Sequence, residues 1–86
     1  MNKEISVPVR EEFDARKCFA MNLRTTREAR GLSRFALSVQ SGVNDRSIFN
    51  YEHGVNEPTI SQAFRLAQAL NVSLEQLLGV SAFTDE

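Results

Sequence analysis

The sequence predicts an all-α domain built from five short helices. Three observations support this. Four glycines divide the chain into segments of helical length, and Ser, Thr or Asn stands where each following segment needs an N-cap. Within the segments, apolar residues recur three or four positions apart. The two-residue alternation of a strand is nearly absent.

From about Arg10 to Arg30, the residues Phe13, Phe19, Ala20, Leu23 and Ala29 supply an intermittent apolar face, and Gly31 suits a left-handed helix end. This predicts a first helix, frayed at its start. Ser33 can cap the second, with Leu32 and Leu37 at the N′ and N4 positions of a hydrophobic staple, and Gly42 ends it. Asn44 caps the third, Val43 and Ile48 staple it, and Gly54 closes it after Glu52 and His53. Thr59 and Gln62 have the spacing of a capping box after Pro58, and Ile60, Ala63, Phe64, Ala67 and Leu70 form the expected buried stripe of a fourth helix. Ser73 and Gln76 repeat the box for a fifth. There Val72 and Leu77 staple, and Leu74, Leu77 and Leu78 make an apolar edge before Gly79. The turn around Gly42 joins residues 33–41 to residues 44–53 as a helix-turn-helix requires, because a bulky side chain would obstruct the sharp crossing.

Eighty-six residues, 42% of them hydrophobic, suffice for one core and leave no room for a second of useful size. Cys18 has no partner for an internal disulfide, and no His or Cys cluster suggests a metal, so neither metal nor cofactor is expected. Residues 1–10 lack the apolar stretch of a signal peptide, and no window approaches a membrane span. A cytoplasmic protein is the expectation. The net charge of −1 lacks the basic excess of a typical nucleic-acid binder, but its distribution is uneven. Residues 19–54 hold five arginines (24, 27, 30, 34 and 46) against three acids, whereas residues 55–86 hold one arginine against four. Mixed surface charge accounts equally well for this local excess.

Gly31-Leu32-Ser33, Leu37, Gly42-Val43, Ile48, Glu52, Gly54, Pro58 and the stretch from Leu66 to Leu74 resemble the phage-repressor (Cro-type, XRE-like) helix-turn-helix family. The likeness runs from about Phe19 to Gly79 without insertion. It implies a five-helix lambda-repressor-like DNA-binding domain over residues 19–79, with an N-terminal extension, partly helical or flexible, over 1–18 and a C-terminal tail over 80–86. It also implies that the third helix enters the major groove, that the second crosses the backbone, and that the last carries a dimer contact.

Transferred position by position, the resemblance implies base reading by Asp45, Arg46, Phe49 and Asn50, which a helical wheel also sets opposite Val43, Ile48 and Tyr51. Arg46 can donate a fork of hydrogen bonds to guanine and Asn50 can pair with adenine, each worth about 1 to 3 kcal/mol of discrimination. Asp45 either accepts from a cytosine amino group or complements the helix dipole. Phe49 either touches a thymine methyl or packs on another protein surface. Phosphate contacts are implied for Ser33, Arg34, Asn44, Ser47, His53 and Asn56, with plain capping the competing account of Ser33. Arg24 and Arg30 are expected to be solvated helix charges. Arg27 and Glu52 are implied to form a structural ion pair between the first and third helices.

The chain departs from the family pattern at Glu57, where a basic loop is common, at Ser41, usually apolar, and at Phe35 and Val39, usually polar. These two apolar residues would either pack on the N-terminal segment or meet a partner. His53 has no nucleophile or metal partner at recognisable spacing, so an enzyme is not expected. The expected function is sequence-specific binding of double-stranded DNA by a homodimer on a near-palindromic operator, with repression as the mode and Leu74, Leu78, Val80 and Phe83 at the dimer interface. The alternative is an antitoxin or accessory module that keeps the scaffold and holds a protein partner, a toxin or a regulator, on an apolar face.

Overall fold

A computed structural model describes residues 14–79. Within them five helices run in order: α1 Ala15–Ala29, α2 Arg34–Ser41, α3 Asp45–Glu52, α4 Ile60–Leu70 and α5 Leu74–Leu78. No strand occurs among the described residues. α1 packs against α3 and α5, α2 against α3 and α4, and α4 against α5. One core results, formed by Phe19, Leu23, Leu37, Val43, Ile48, Tyr51, Leu66, Leu70 and Leu77 with small residues between them.

Each helix begins where its cap dictates. Asp14, Ser33, Asn44, Thr59 and Ser73 accept hydrogen bonds from backbone N–H groups of the first turn that would otherwise lack partners. The Asp14 cap starts α1 inside the stretch read as an extension, so the helix crosses the boundary at residue 18. The earlier start near Arg10 lies outside the described residues. The Ser73–Gln76 capping box is complete. The Thr59–Gln62 box is not: Thr59 accepts from the Gln62 backbone, but the Gln62 side chain turns away to accept from the Tyr51 hydroxyl of α3.

The stripe predicted for α4 needs correction. Ile60 is 81% exposed and Phe64 52%, while Ala63, Leu66, Ala67 and Leu70 are buried. The buried set keeps helical spacing, rotated so that Leu66 faces inward in place of Ile60 and Phe64. Arg30 is exposed, as expected of a solvated helix charge, and in addition its Nε donates to the Leu70 carbonyl at 2.9 Å and closes the C-terminal end of α4. Arg24 also lies on the surface, paired with Glu28 one turn on at 3.2 Å.

The chain reverses between α2 and α3 at Gly42, which has φ 76°. A left-handed residue there lets the two helices cross after a connection of three residues, 42–44.

Candidate nucleic-acid interface

The interface is built from the beginnings of α2 and α3, which open on the same side of the molecule around a cleft lined by Ser33, Arg34, Phe35, Asp45, Arg46 and Phe49. Both helices present the positive end of their dipoles there, and both are capped by side chains that retain donors. Ser33 Oγ accepts from Ala36 N at 2.9 Å, leaving its hydroxyl proton free to donate. Asn44 Oδ1 accepts from Arg46 N at 2.8 Å and Ser47 N at 3.3 Å, leaving its amide N–H groups free. Capping therefore leaves a donor available at both residues.

α3 has two faces. Ile48, Tyr51 and Glu52 are buried, while Asp45 and Arg46 are exposed and Ser47, Phe49 and Asn50 are intermediate. The buried face fixes the orientation of the outward one. Gly54 at φ 69° completes a Schellman ending: its N–H bonds the Tyr51 carbonyl at 3.2 Å and the Val55 N–H bonds Asn50 at 2.9 Å. This sends residues 55–57, all exposed, away from the helix axis. Asn56 lies on that loop beside Glu57, so the loop offers one amide and one negative charge.

Beneath the cleft, Arg27 and Glu52 meet. Arg27 Nε donates to Glu52 Oε2 at 2.6 Å and Nη2 to Oε1 at 3.1 Å, a bidentate pair, while Nη1 donates to the Leu32 carbonyl at 2.7 Å. The two residues are 7% and 8% exposed. The hydrogen bond to Glu52 holds the Arg27 guanidinium above its ordinary value, outweighing burial. Arg34 Nη1 reaches the same Glu52 oxygen at 3.4 Å, so one buried carboxylate serves an arginine of the core and an arginine of the surface.

Phe49 has neighbours that its sequence position only partly foretells. The guanidinium carbons of Arg34 and Arg46 lie 5.1 and 5.3 Å from its ring centroid, and the His53 imidazole stacks on it at 4.0 Å with the planes 21° apart. The spacing i, i+3 and i+7 of Arg46, Phe49 and His53 is a legible signal for one helix face. The arrival of Arg34 from α2 is not. His53 Nδ1 is engaged with the Phe49 carbonyl at 2.8 Å, so this histidine closes the helix end.

Leu74 and Leu78 stand apart from this cleft. They are partly buried and border a shallow apolar groove with Phe19, Pro58, Ile60 and Ala63. Val80 and Phe83 lie outside the described residues. Phe35 and Val39 are 66% and 67% exposed on α2, and residues 1–13 of the N-terminal segment lie outside the described residues too. Among the described residues no group of three His, Cys, Asp or Glu could hold a metal ion, and no helix is long and apolar enough to cross a membrane.

Residues 23–77 match the family model described as helix-turn-helix. The uncharacterized HTH-type transcriptional regulator y4dJ of Sinorhizobium fredii is 32% identical over 66 residues, covering 77% of this chain and 86% of that protein. The restriction-modification controller protein C.AhdI from Aeromonas hydrophila superposes with a TM-score of 0.69 at 29% identity, over 72% of this chain and 94% of its own. The hypothetical transcription factor NHTF from Neisseria gives a TM-score of 0.72 at 27% identity, over 90% of this chain and 86% of its own.

Proposed function

Since the chain belongs to the helix-turn-helix family of DNA-binding transcriptional regulators, we propose that it reads a near-palindromic operator in double-stranded DNA as a homodimer and represses transcription there. The observation that carries this reading is the division of α3 into a buried face and an outward face bearing Asp45, Arg46 and Asn50 beside two capped helix N-termini. With α3 in the major groove, Arg46 forks onto a guanine edge and Asn50 pairs with adenine. Asp45 complements the dipole of α3 or accepts from cytosine. Ser33, Arg34, Asn44, Ser47, His53 and Asn56 form the backbone-gripping set, with Arg34 its main charge. No cofactor or metal is required by this chemistry.

One helix of this size reads a few base pairs, so two copies related by a two-fold axis supply the specificity of an operator. The groove of Leu74 and Leu78, continued by exposed Ile60, is the face assigned to the second copy, with Val80 and Phe83 as additional candidates. Repression follows if the operator overlaps a promoter, which a reporter assay reads directly.

A second reading is favoured by one observation, the exposure of Phe35 and Val39 on α2. In it the scaffold also holds a protein partner, such as a toxin or another regulator, on that face.

Selection of bound duplexes from a randomised pool, at low and near-physiological salt, tests the first reading. A two-fold-symmetric motif from wild type that Arg46→Ala relaxes at one guanine supports it. No enrichment at either salt overturns it in favour of a partner-binding scaffold.

A further inference from the structure

We propose that Phe49 acts on DNA through the two arginines beside it, presetting Arg46 for a guanine edge and Arg34 for the backbone, and reads no base with its own ring. This rests on the reading of α3 as a recognition helix and assigns Phe49 a positioning role within it.

The ring is partly buried and three groups gather around it: the guanidinium carbons of Arg34 at 5.1 Å and Arg46 at 5.3 Å, and the His53 ring stacked at 4.0 Å. A ring so surrounded presents little apolar surface to a thymine methyl. It is well suited to hold cations, because the negative face of an aromatic quadrupole attracts them and offsets the mutual repulsion of two arginines converging from different helices.

The chemistry leaves the arginines free to work. Stacking engages the flat face of a guanidinium, whereas guanine O6 and N7, or phosphate oxygens, engage the N–H donors along its edge. Both contacts can therefore exist at once. An arginine side chain loses much rotamer freedom when it is fixed in a groove, and one already held on a ring loses less on binding. Arg34 has a second hold, its 3.4 Å contact with the buried carboxylate of Glu52. A continuous chain of contacts thus runs from the core pair through Arg34 and Phe49 to Arg46, linking backbone grip to base reading.

The test compares wild type, Phe49→Leu, Phe49→Tyr and Arg46→Ala on the motif selected by wild type, with thermal unfolding measured on each. Phe49→Leu keeps apolar bulk and removes the ring. It is expected to weaken binding about five- to twentyfold, to relax the guanine preference that Arg46→Ala abolishes, and to shrink the logarithmic salt slope by about one, with melting temperature unchanged. Phe49→Tyr is expected to restore all three. Replacing each thymine of the site by uracil, which removes only the methyl group, is expected to leave wild-type affinity within about twofold. Retention of guanine preference and salt slope in Phe49→Leu overturns the proposal. So does a uracil penalty in wild type that is absent from Phe49→Leu, which would make the ring a direct methyl contact. If wild type selects no motif at all, the recognition-helix reading fails and this proposal with it; a motif lost in Arg46→Ala but intact in Phe49→Leu defeats the positioning role alone.

Discussion

Glu52, the last residue of α3, accepts hydrogen bonds from Arg27 of α1 through both carboxylate oxygens, at 2.6 and 3.1 Å, with both side chains almost wholly out of solvent. Removing either partner strands the other. Arg27→Ala leaves the carboxylate only the longer contact with Arg34 and is expected to cost about 3 to 5 kcal/mol. For a domain of this size, thermal unfolding should register a fall of more than about 10 °C, with DNA binding reduced in parallel. An unchanged melting temperature would remove the pair from the list of supports. Replacing both residues together, as Arg27→Met with Glu52→Leu, should cost less than either single change, which a double-mutant cycle measures.

The same pair has a defined pH response. Because contact with Glu52 raises the folded-state value of Arg27, its contribution is fully present below the ordinary arginine range and declines only as pH climbs through the raised value. Between about pH 7 and 10 the coupling energy of the cycle should therefore stay constant as far as Arg27 is concerned. A decline within that interval would contradict the assignment.

Arg30→Ala removes the donor to the Leu70 carbonyl and should destabilise the fold by about 1 kcal/mol. Hydrogen exchange should locate the loss at the end of α4 and the start of α5. Uniform loss of protection, with no local excess there, would mean that the contact does not act as a helix cap.

Gly42→Ala probes the turn of the helix-turn-helix. A Cβ there would meet Arg65 Nη1 at 3.7 Å, an ordinary contact, so the cost arises from the φ of 76° alone. About 1 to 2 kcal/mol is expected in chemical denaturation. A neutral result would show that the turn adapts to a β-carbon.

Exchanging Ile60 for Ser should change stability by no more than about 0.5 kcal/mol, whereas Leu66→Ala should cost about 2 to 5 kcal/mol. The reverse order would restore Ile60 to the core. Any loss of self-association in Ile60→Ser, measured by sedimentation, would implicate the groove it borders.

These two residues also mark where the sequence ceases to be legible. The caps at Ser33, Asn44 and Ser73 can be read directly, since a capping side chain acts within three residues of itself. The staples are legible for the same reason: Leu37, Val43, Ile48 and Leu77 are all buried. α4 carries apolar residues around much of its circumference, so its pattern admits two faces, and only packing against α2 and α5 selects the one with Leu66. Gln62 satisfies the spacing of a capping box, yet a tyrosine eleven residues away competes for its side chain. Arg30 and Leu70 are forty residues apart, and no local rule anticipates that contact. At the interface, the outward face of α3 follows from helical geometry, and the pairing of Arg27 with Glu52 follows only from likeness to a family. The gathering of Arg34 and Arg46 on Phe49 depends on the crossing angle of two helices, a property of the assembled fold.

The two-sidedness of α3 has a practical consequence. Ile48, Tyr51 and Glu52 anchor the helix from below, while Asp45 and Arg46 make no packing contribution to the core. Positions 45 and 46 are thus an exchangeable cassette on a fixed mount. A library varied at those two positions should yield mostly folded proteins, and new operator preferences can be sought there without rebuilding the domain.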